Sequence, residues 1–144
     1  YASYILTGEK PSKQDIEDAR DLIRMSEDQF VHWNSLPEKN GVRRLFGPCV
    51  FEQHRYQTPV DNSSCNVANA YLDLYEVTGD RLAFEKAKAL VDALTVAQQV
   101  TNGYMPTTLD YRNPKKDKGR TFWLNCCVAS INIWLRMAEL TGEE

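Results

Sequence analysis

The sequence predicts an all-α protein built of helical hairpins, and three observations carry that prediction. The dipeptide Thr-Gly occurs at Thr7-Gly8, Thr78-Gly79 and Thr141-Gly142, 71 and 63 residues apart, each time closing an apolar helical pattern and leading at once into an acidic residue. A helix corner that recurs at a near-constant period marks a helical repeat. Helices that are apolar nearly all round alternate with helices that have one charged side. Tight glycine corners alternate with two long connections punctuated by proline and glycine.

Taken in order, Tyr1 to Leu6 reads as the end of a helix closed by Gly8, where a positive φ costs glycine nothing. Ser12 and Asp15 form a capping pair that opens a second helix, running to about Trp33. Its apolar positions are Ile16, Ala19, Leu22, Ile23, Phe30 and Val31, opposite a face of Asp15, Glu17, Asp18, Arg20, Asp21 and Arg24. Residues 35–61 form the first long connection. Asp61 or Asn62 can cap the third helix, which ends at Thr78 and carries a single charge across its centre. Asp80 caps a fourth helix to about Thr101, with a stripe of Leu82, Ala83, Ala87, Leu90, Val91, Leu94 and Ala97. Its wet face is Arg81, Glu85, Lys86, Lys88 and Asp92. Residues 102–120 form the second long connection, and from Thr121 a largely apolar helix runs to Leu140.

One geometry satisfies this order. Buried helices form an inner ring and amphipathic helices an outer one, with tight corners at one end and long connections at the other. The chain starts within one corner and stops within another, so residues 1–144 are expected to be a single segment of about two and a half hairpins from a larger array.

Composition narrows the partners. With 42% apolar and 26% charged residues the chain is an ordinary globular one. Its net charge of −3, and the lack of any basic cluster larger than Lys115-Lys116-Asp117-Lys118, argue against nucleic acid. No apolar run approaches the ~20 residues of a membrane span, so no membrane partner is expected.

The alternation of inner and outer helices resembles the (α/α) toroid of the six-hairpin glycosidase-like superfamily. The strings Tyr71-Leu72-Asp73-Leu74-Tyr75-Glu76-Val77-Thr78-Gly79-Asp80-Arg81-Leu82 and Glu85-Lys86-Ala87-Lys88-Ala89-Leu90-Val91-Asp92-Ala93-Leu94 are similar to hairpins of that superfamily. So is Asn102-Gly103-Tyr104-Met105-Pro106-Thr107-Thr108 after an outer helix. The resemblance covers most of residues 62–141. It implies an oligo- or polysaccharide partner held where the long connections meet the inner helices, with the remaining hairpins of the parent protein completing the ring.

The unusual residues of the chain fall in those connections. Residues 43–61 gather Glu52, Asp61, His54, three arginines and three aromatic side chains. Sugars are held by stacking on aromatic faces and by carboxylate and arginine hydrogen bonds. Glycoside hydrolysis needs a protonated carboxylic acid and a carboxylate across the scissile bond. Glu52 and Asp61 are the candidate catalytic pair, with Asp110 a third candidate from the second connection. Substrate-binding candidates are His54, Arg55, Tyr56, Tyr104, Tyr111 and Trp123, and Trp33 is a further sugar platform. Arg112 and Arg120 suit an acidic sugar. Against these stand plain alternatives: Glu52 in an ion pair with Arg43, Arg44 or Arg55, Asp61 as a helix cap, and His32 and His54 as loop hydrogen-bonding residues.

The four cysteines fit no Cys-x-x-Cys or zinc-finger spacing and read as small buried apolar side chains. Cys65 and Cys126-Cys127 open successive inner helices, so their ends are expected to be neighbours. With Glu52 or Asp61 they would make a tetrahedral zinc set. This is reminiscent of the beta-L-arabinofuranosidases, toroid enzymes whose zinc is held by a glutamate and three cysteines. There the glutamate precedes the first cysteine as Glu-x-Cys, whereas this chain has Ser63 at that place. No metal and no cofactor is therefore expected, with Cys65, Cys126 and Cys127 the alternative zinc set. The chain is thus expected to be a glycoside hydrolase-like protein or, alternatively, a non-catalytic helical scaffold or glycan-binding toroid.

Overall fold

A computed structural model describes residues 1–34, 44–45, 47–52, 59–100, 103, 105, 107, 110–111 and 124–142. Among them are five helices: α1 (Ala2–Thr7), α2 (Lys13–Phe30), α3 (Asp61–Thr78), α4 (Arg81–Val100) and α5 (Leu124–Thr141). Four two-residue strands accompany them: β1 (Val31–His32), β2 (Arg44–Leu45), β3 (Cys49–Val50) and β4 (Asp110–Tyr111). The protein is all-α in class, as the sequence predicts.

The corners form as the sequence dictates. Gly8, Gly79 and Gly142 adopt φ of 71°, 75° and 71°. The N–H of Gly8 bonds to the Tyr4 carbonyl and that of Gly79 to the Tyr75 carbonyl. The threonine has its own part in the corner. Thr7, Thr78 and Thr141 each donate their hydroxyl to the carbonyl four residues back. Thr7 and Thr78 also accept the N–H two residues on, from Glu9 and Asp80. One side chain thus serves a spent helical carbonyl and the first amide beyond the helix.

Ser12 and Asp15 make the predicted capping box on α2, and Asp80 accepts the amides of Leu82 and Ala83 at the start of α4. Three boundaries or caps differ from expectation. α2 stops at Phe30 rather than Trp33, because Val31 and His32 pair antiparallel with Val50 and Cys49. Asp61 is the first helical residue of α3 and not its cap: Val60 is the N-cap, with no side-chain cap bond. α4 ends at Val100.

The core lies between α3 and α4, where Tyr71 and Leu72 meet Phe84, Ala87, Leu90 and Leu94, with Ile133 and Met137 closing it from α5. Complete burial of such side chains contributes roughly 1.5–3 kcal/mol each. Burial departs from the sequence reading in three places. None of the apolar stripe of α2 is fully buried. Leu82 of α4 is exposed. α5 buries only Cys126, Ser130, Ile133 and Met137, and leaves Leu124 at 80% and Leu135 at 59% exposure.

Helices α3 and α5 run in step. Asp61 faces Cys126, Cys65 faces Ser130, and Arg136 reaches Asn69, Asp73 and Glu76. The two long connections meet at the N-terminal end of this pair. β2 pairs antiparallel with β4, Arg44 opposite Tyr111 and Leu45 opposite Asp110. The Asp61 N–H donates to the Thr107 carbonyl at 3.1 Å. Both connections therefore emerge on the same side, opposite the glycine corners.

Candidate functional site

The start of α3 is held by three segments. Val60 N–H donates to the Val50 carbonyl at 3.0 Å, and Phe51 bridges Pro59, so β3 runs alongside the entry to the helix. Ser64, one turn in, accepts the Val50 N–H and donates to the Val60 carbonyl. The Thr107 carbonyl takes the Asp61 N–H. These bonds satisfy backbone groups that a helix start otherwise leaves open.

At the centre is Asp61, which is fully buried. Its Oδ1 accepts the Asn62 N–H at 2.7 Å. Its Oδ2 is without a hydrogen-bond partner among the described residues. The Cys126 thiol lies against the carboxyl from α5. Burial raises the affinity of this carboxyl for a proton, and the Cys126 thiol and the Asn62 amide only partly oppose that.

Two buried thiols lie near this carboxyl. Cys126 is pushed up to about 12 by burial and by the neighbouring Asp61, with the Thr107 side chain pulling the other way. Cys65 is raised to about 11 by burial, against a contact between its Sγ and Ser130 Oγ at 3.7 Å. Both are neutral thiols near pH 7, whereas nucleophiles and metal ligands are thiolates. Cys127 is half-buried. Among the described residues no group of three His, Cys, Asp or Glu side chains is arranged to hold a metal ion, so Cys65, Cys126 and Cys127 are not gathered into a zinc set.

The candidate carboxylates are placed differently. Glu52 is exposed in the bend after β3. Glu52 follows Phe51, whose bridge partner Pro59 stands two residues before Asp61 on the facing segment. Glu52 is at the surface and Asp61 is buried. Asp110 and Tyr111 lie in β4, level with the first connection, and their side chains fall outside the described part. His54, Arg55, Tyr56, Tyr104 and Trp123 lie outside the described residues, as do Arg112 and Arg120.

Trp33 is not a free platform. Its Nε1 donates to Glu27 at 3.1 Å, and the Lys86 ammonium sits 5.6 Å from its ring. His32 stacks on Phe51 and its buried Nε2 has no hydrogen-bond partner among the described residues.

The polar partners that the sequence reading missed are Ser64, Thr107 and Ser130. Ser130 had a readable signal. Asp61 and Cys65 stand four apart on one helix, as Cys126 and Ser130 do on another, so parallel packing of the two helices can set the pairs face to face. Thr107 had none, because its position depends on how the second connection folds back.

Comparison with protein-family models, curated proteins and solved structures finds no match to this chain.

Proposed function

We propose that the chain is part of a carbohydrate-active, glycoside hydrolase-like (α/α) toroid, and that it holds a glycan where the long connections meet the inner helices. The observation that carries this reading is the convergence of both connections, through β2–β4 and the Asp61–Thr107 bond, above a buried carboxyl with a raised proton affinity. A general acid needs that raised affinity, and its partner carboxylate needs contact with water and sugar. Asp61 has the first property and Glu52 the second. No cofactor enters such an acid/base mechanism.

One observation favours a second reading, a glycan-binding or scaffolding toroid that does not cleave. Asp61 has no exposed surface, and a general acid must reach the glycosidic oxygen. The test is a panel of plant and animal polysaccharides assayed for binding and for release of reducing ends, with the wild type, Glu52→Gln and Asp61→Asn. The hydrolase reading expects cleavage by the wild type and at least a hundredfold loss in Glu52→Gln with binding retained. Unchanged cleavage removes Glu52 from the mechanism. Binding without cleavage in the wild type establishes the second reading.

A further inference from the structure

We propose that Cys126 and Thr107 form a proton relay that links the buried Asp61 carboxyl to the side on which the two long connections meet. Its use in cleavage rests on the hydrolase reading above; its existence does not. Asp61 has no exposed surface, and Cys126 is 2% exposed. Ser64, Cys65 and Ser130, at the same end of the helix pair, are wholly buried too. Thr107, which touches both Asp61 and Cys126, is partly exposed. A carboxyl sealed from the surface in this way exchanges protons only through the side chains laid against it.

Thr107 is fixed at two points. Its carbonyl accepts the Asp61 N–H at 3.1 Å, and its hydroxyl bonds to the Cys126 thiol. The thiol in turn lies against the Asp61 carboxyl. Carboxyl, thiol and hydroxyl therefore stand in series from the interior to the surface. Asp61 Oδ1 is occupied by the Asn62 N–H, so Oδ2, without a hydrogen bond among the described residues, is the oxygen available to carry the proton. Buried polar atoms are seldom left in this state, which marks Oδ2 as a functional group rather than a structural one. Cys65 is the other titratable group close to the carboxyl, and its Sγ is turned to Ser130 Oγ at 3.7 Å.

The transfer balances without a co-reactant. The carboxyl O–H breaks as its proton passes to Cys126 Sγ. The thiol's own proton passes to Thr107 Oγ1, and the hydroxyl proton passes to the glycosidic oxygen as that oxygen leaves the anomeric carbon. Three bonds to hydrogen break and three form. Thiol and hydroxyl end neutral, and the negative charge stays on Asp61, where the Asn62 N–H and the re-formed S–H face it. The chemistry of each member suits its place. Cys126 holds its proton to about 12, so it hands protons on and does not rest as a thiolate at pH 7. A threonine hydroxyl accepts from a thiol while donating outward. Reloading from water runs the same chain inward. The relay thus gives an acid with no surface of its own a hydroxyl that meets the sugar.

Infrared spectroscopy after dilution into D2O tests the path without any substrate. The Cys126 S–H band is assigned by difference from Cys126→Ala, and that of Cys65 from Cys65→Ala. In the wild type the Cys126 band is expected to vanish roughly tenfold or more faster than the Cys65 band, whose exchange waits on opening of the fold. Thr107→Val is expected to abolish that lead and Thr107→Ser to keep it. Iodoacetamide is expected to modify native Cys126 no faster than Cys65, because a relay carries protons and not reagents. Equal exchange of the two thiols, exchange unchanged in Thr107→Val, or alkylation of Cys126 as fast as its exchange overturns the relay. Kinetics test its use. On a glycan that the wild type cleaves, Thr107→Val is expected to lower kcat roughly tenfold or more with KM unchanged, and Thr107→Ser to restore it. On an aryl glycoside, whose leaving group needs no proton, Thr107→Val is expected to keep the wild-type rate. Equal losses on both substrates, or none on the glycan, overturn the part of Thr107 in cleavage. A wild type that cleaves nothing while its thiol exchange depends on Thr107 overturns the hydrolase reading and leaves the relay standing.

Discussion

Lys86 of α4 donates to both carboxylate oxygens of Glu27 of α2, at 2.7 and 2.6 Å, and so ties these two helices together. The same carboxylate accepts the Tyr71 hydroxyl at 2.6 Å and the Trp33 indole N–H. The ammonium lies 5.5 Å from the Tyr71 ring centroid. Both charged side chains are largely covered, at 20% and 27% exposure, so this pair is less screened than a surface ion pair. α2 has no fully buried residue of its own. Ile23 and Phe30 pack against the core only partly buried, so this polar knot is a substantial part of the helix's attachment.

Glu27→Ala leaves an ammonium, a phenol and an indole N–H without their shared acceptor. The expected loss is about 2–3 kcal/mol of unfolding free energy in urea titrations. Lys86→Met, which keeps the stem, is expected to cost less. Equal stability of Glu27→Ala and wild type would show that α2 is held by other contacts.

The same carboxylate sets a pH dependence. Burial alone would raise its pKa, but bonds from Lys86, Tyr71 and Trp33 outweigh burial and hold it below the ordinary 4.5. A group depressed on folding contributes stability above its unfolded value and loses it as pH falls through the folded one. The wild type is therefore expected to lose stability below about pH 4.5 faster than Glu27→Gln does. Parallel curves for the two proteins between pH 7 and 3 would remove Glu27 as the source.

Asp61 is predicted to act in the opposite sense. Its pKa is raised on folding, chiefly by burial, so its contribution is complete below the ordinary 3.8 and is lost as pH rises through the folded value. At pH 7 the buried carboxylate costs stability. Asp61→Asn is expected to raise the unfolding free energy at pH 7 by about 1 kcal/mol, or a Tm gain of about 3 °C. The gain should shrink as pH approaches 3.8. A variant less stable than wild type at pH 7 would mean that the charged form is favourably bound. Greater stability with lost activity would mark the residue as functional, because catalytic groups are commonly held at a cost to the fold.

Corners and caps were legible in the sequence because they are local: Thr78-Gly79-Asp80 states its geometry within three residues. The shared side of the long connections was legible as well, since alternating corners leave no other arrangement. Covered faces were not. Periodicity shows that Val128 and Ile131 are apolar but not whether a neighbour lies against them. Lys86 looked like a solvated face residue, and only the approach of α2 gives it Glu27. For Asp61 the residue type suggested a cap, yet Val60 takes that position once β3 pairs with the chain before α3.

Gly79 offers a clean measure of the corner. A Cβ built there meets nothing within 4 Å, so Gly79→Ala changes only backbone preference at φ +75°. The expected cost is about 1–2 kcal/mol, the price of a left-handed alanine. Gly79→Asn is expected to lose less, since asparagine tolerates that region. Urea titrations that find alanine and glycine equal would mean that the corner relaxes out of the left-handed region.

The thiols differ in ways that labelling can read. Cys49, Cys65 and Cys126 are buried and Cys127 is half-buried. Cys65 and Cys126 also hold their protons to about 11 and 12, so at pH 7.5 almost none of either is thiolate. Iodoacetamide at pH 7.5 is therefore expected to modify Cys127 first. The other three should react at the rate of global or local unfolding, and with urea present all four should react alike. Mass spectrometry of tryptic peptides separates the sites. Rapid native labelling of Cys126 would show that the buried contact beside Asp61 opens to solvent. That result would also remove the burial on which the raised proton affinity of Asp61 depends, and Asp61→Asn would then leave stability at pH 7 unchanged.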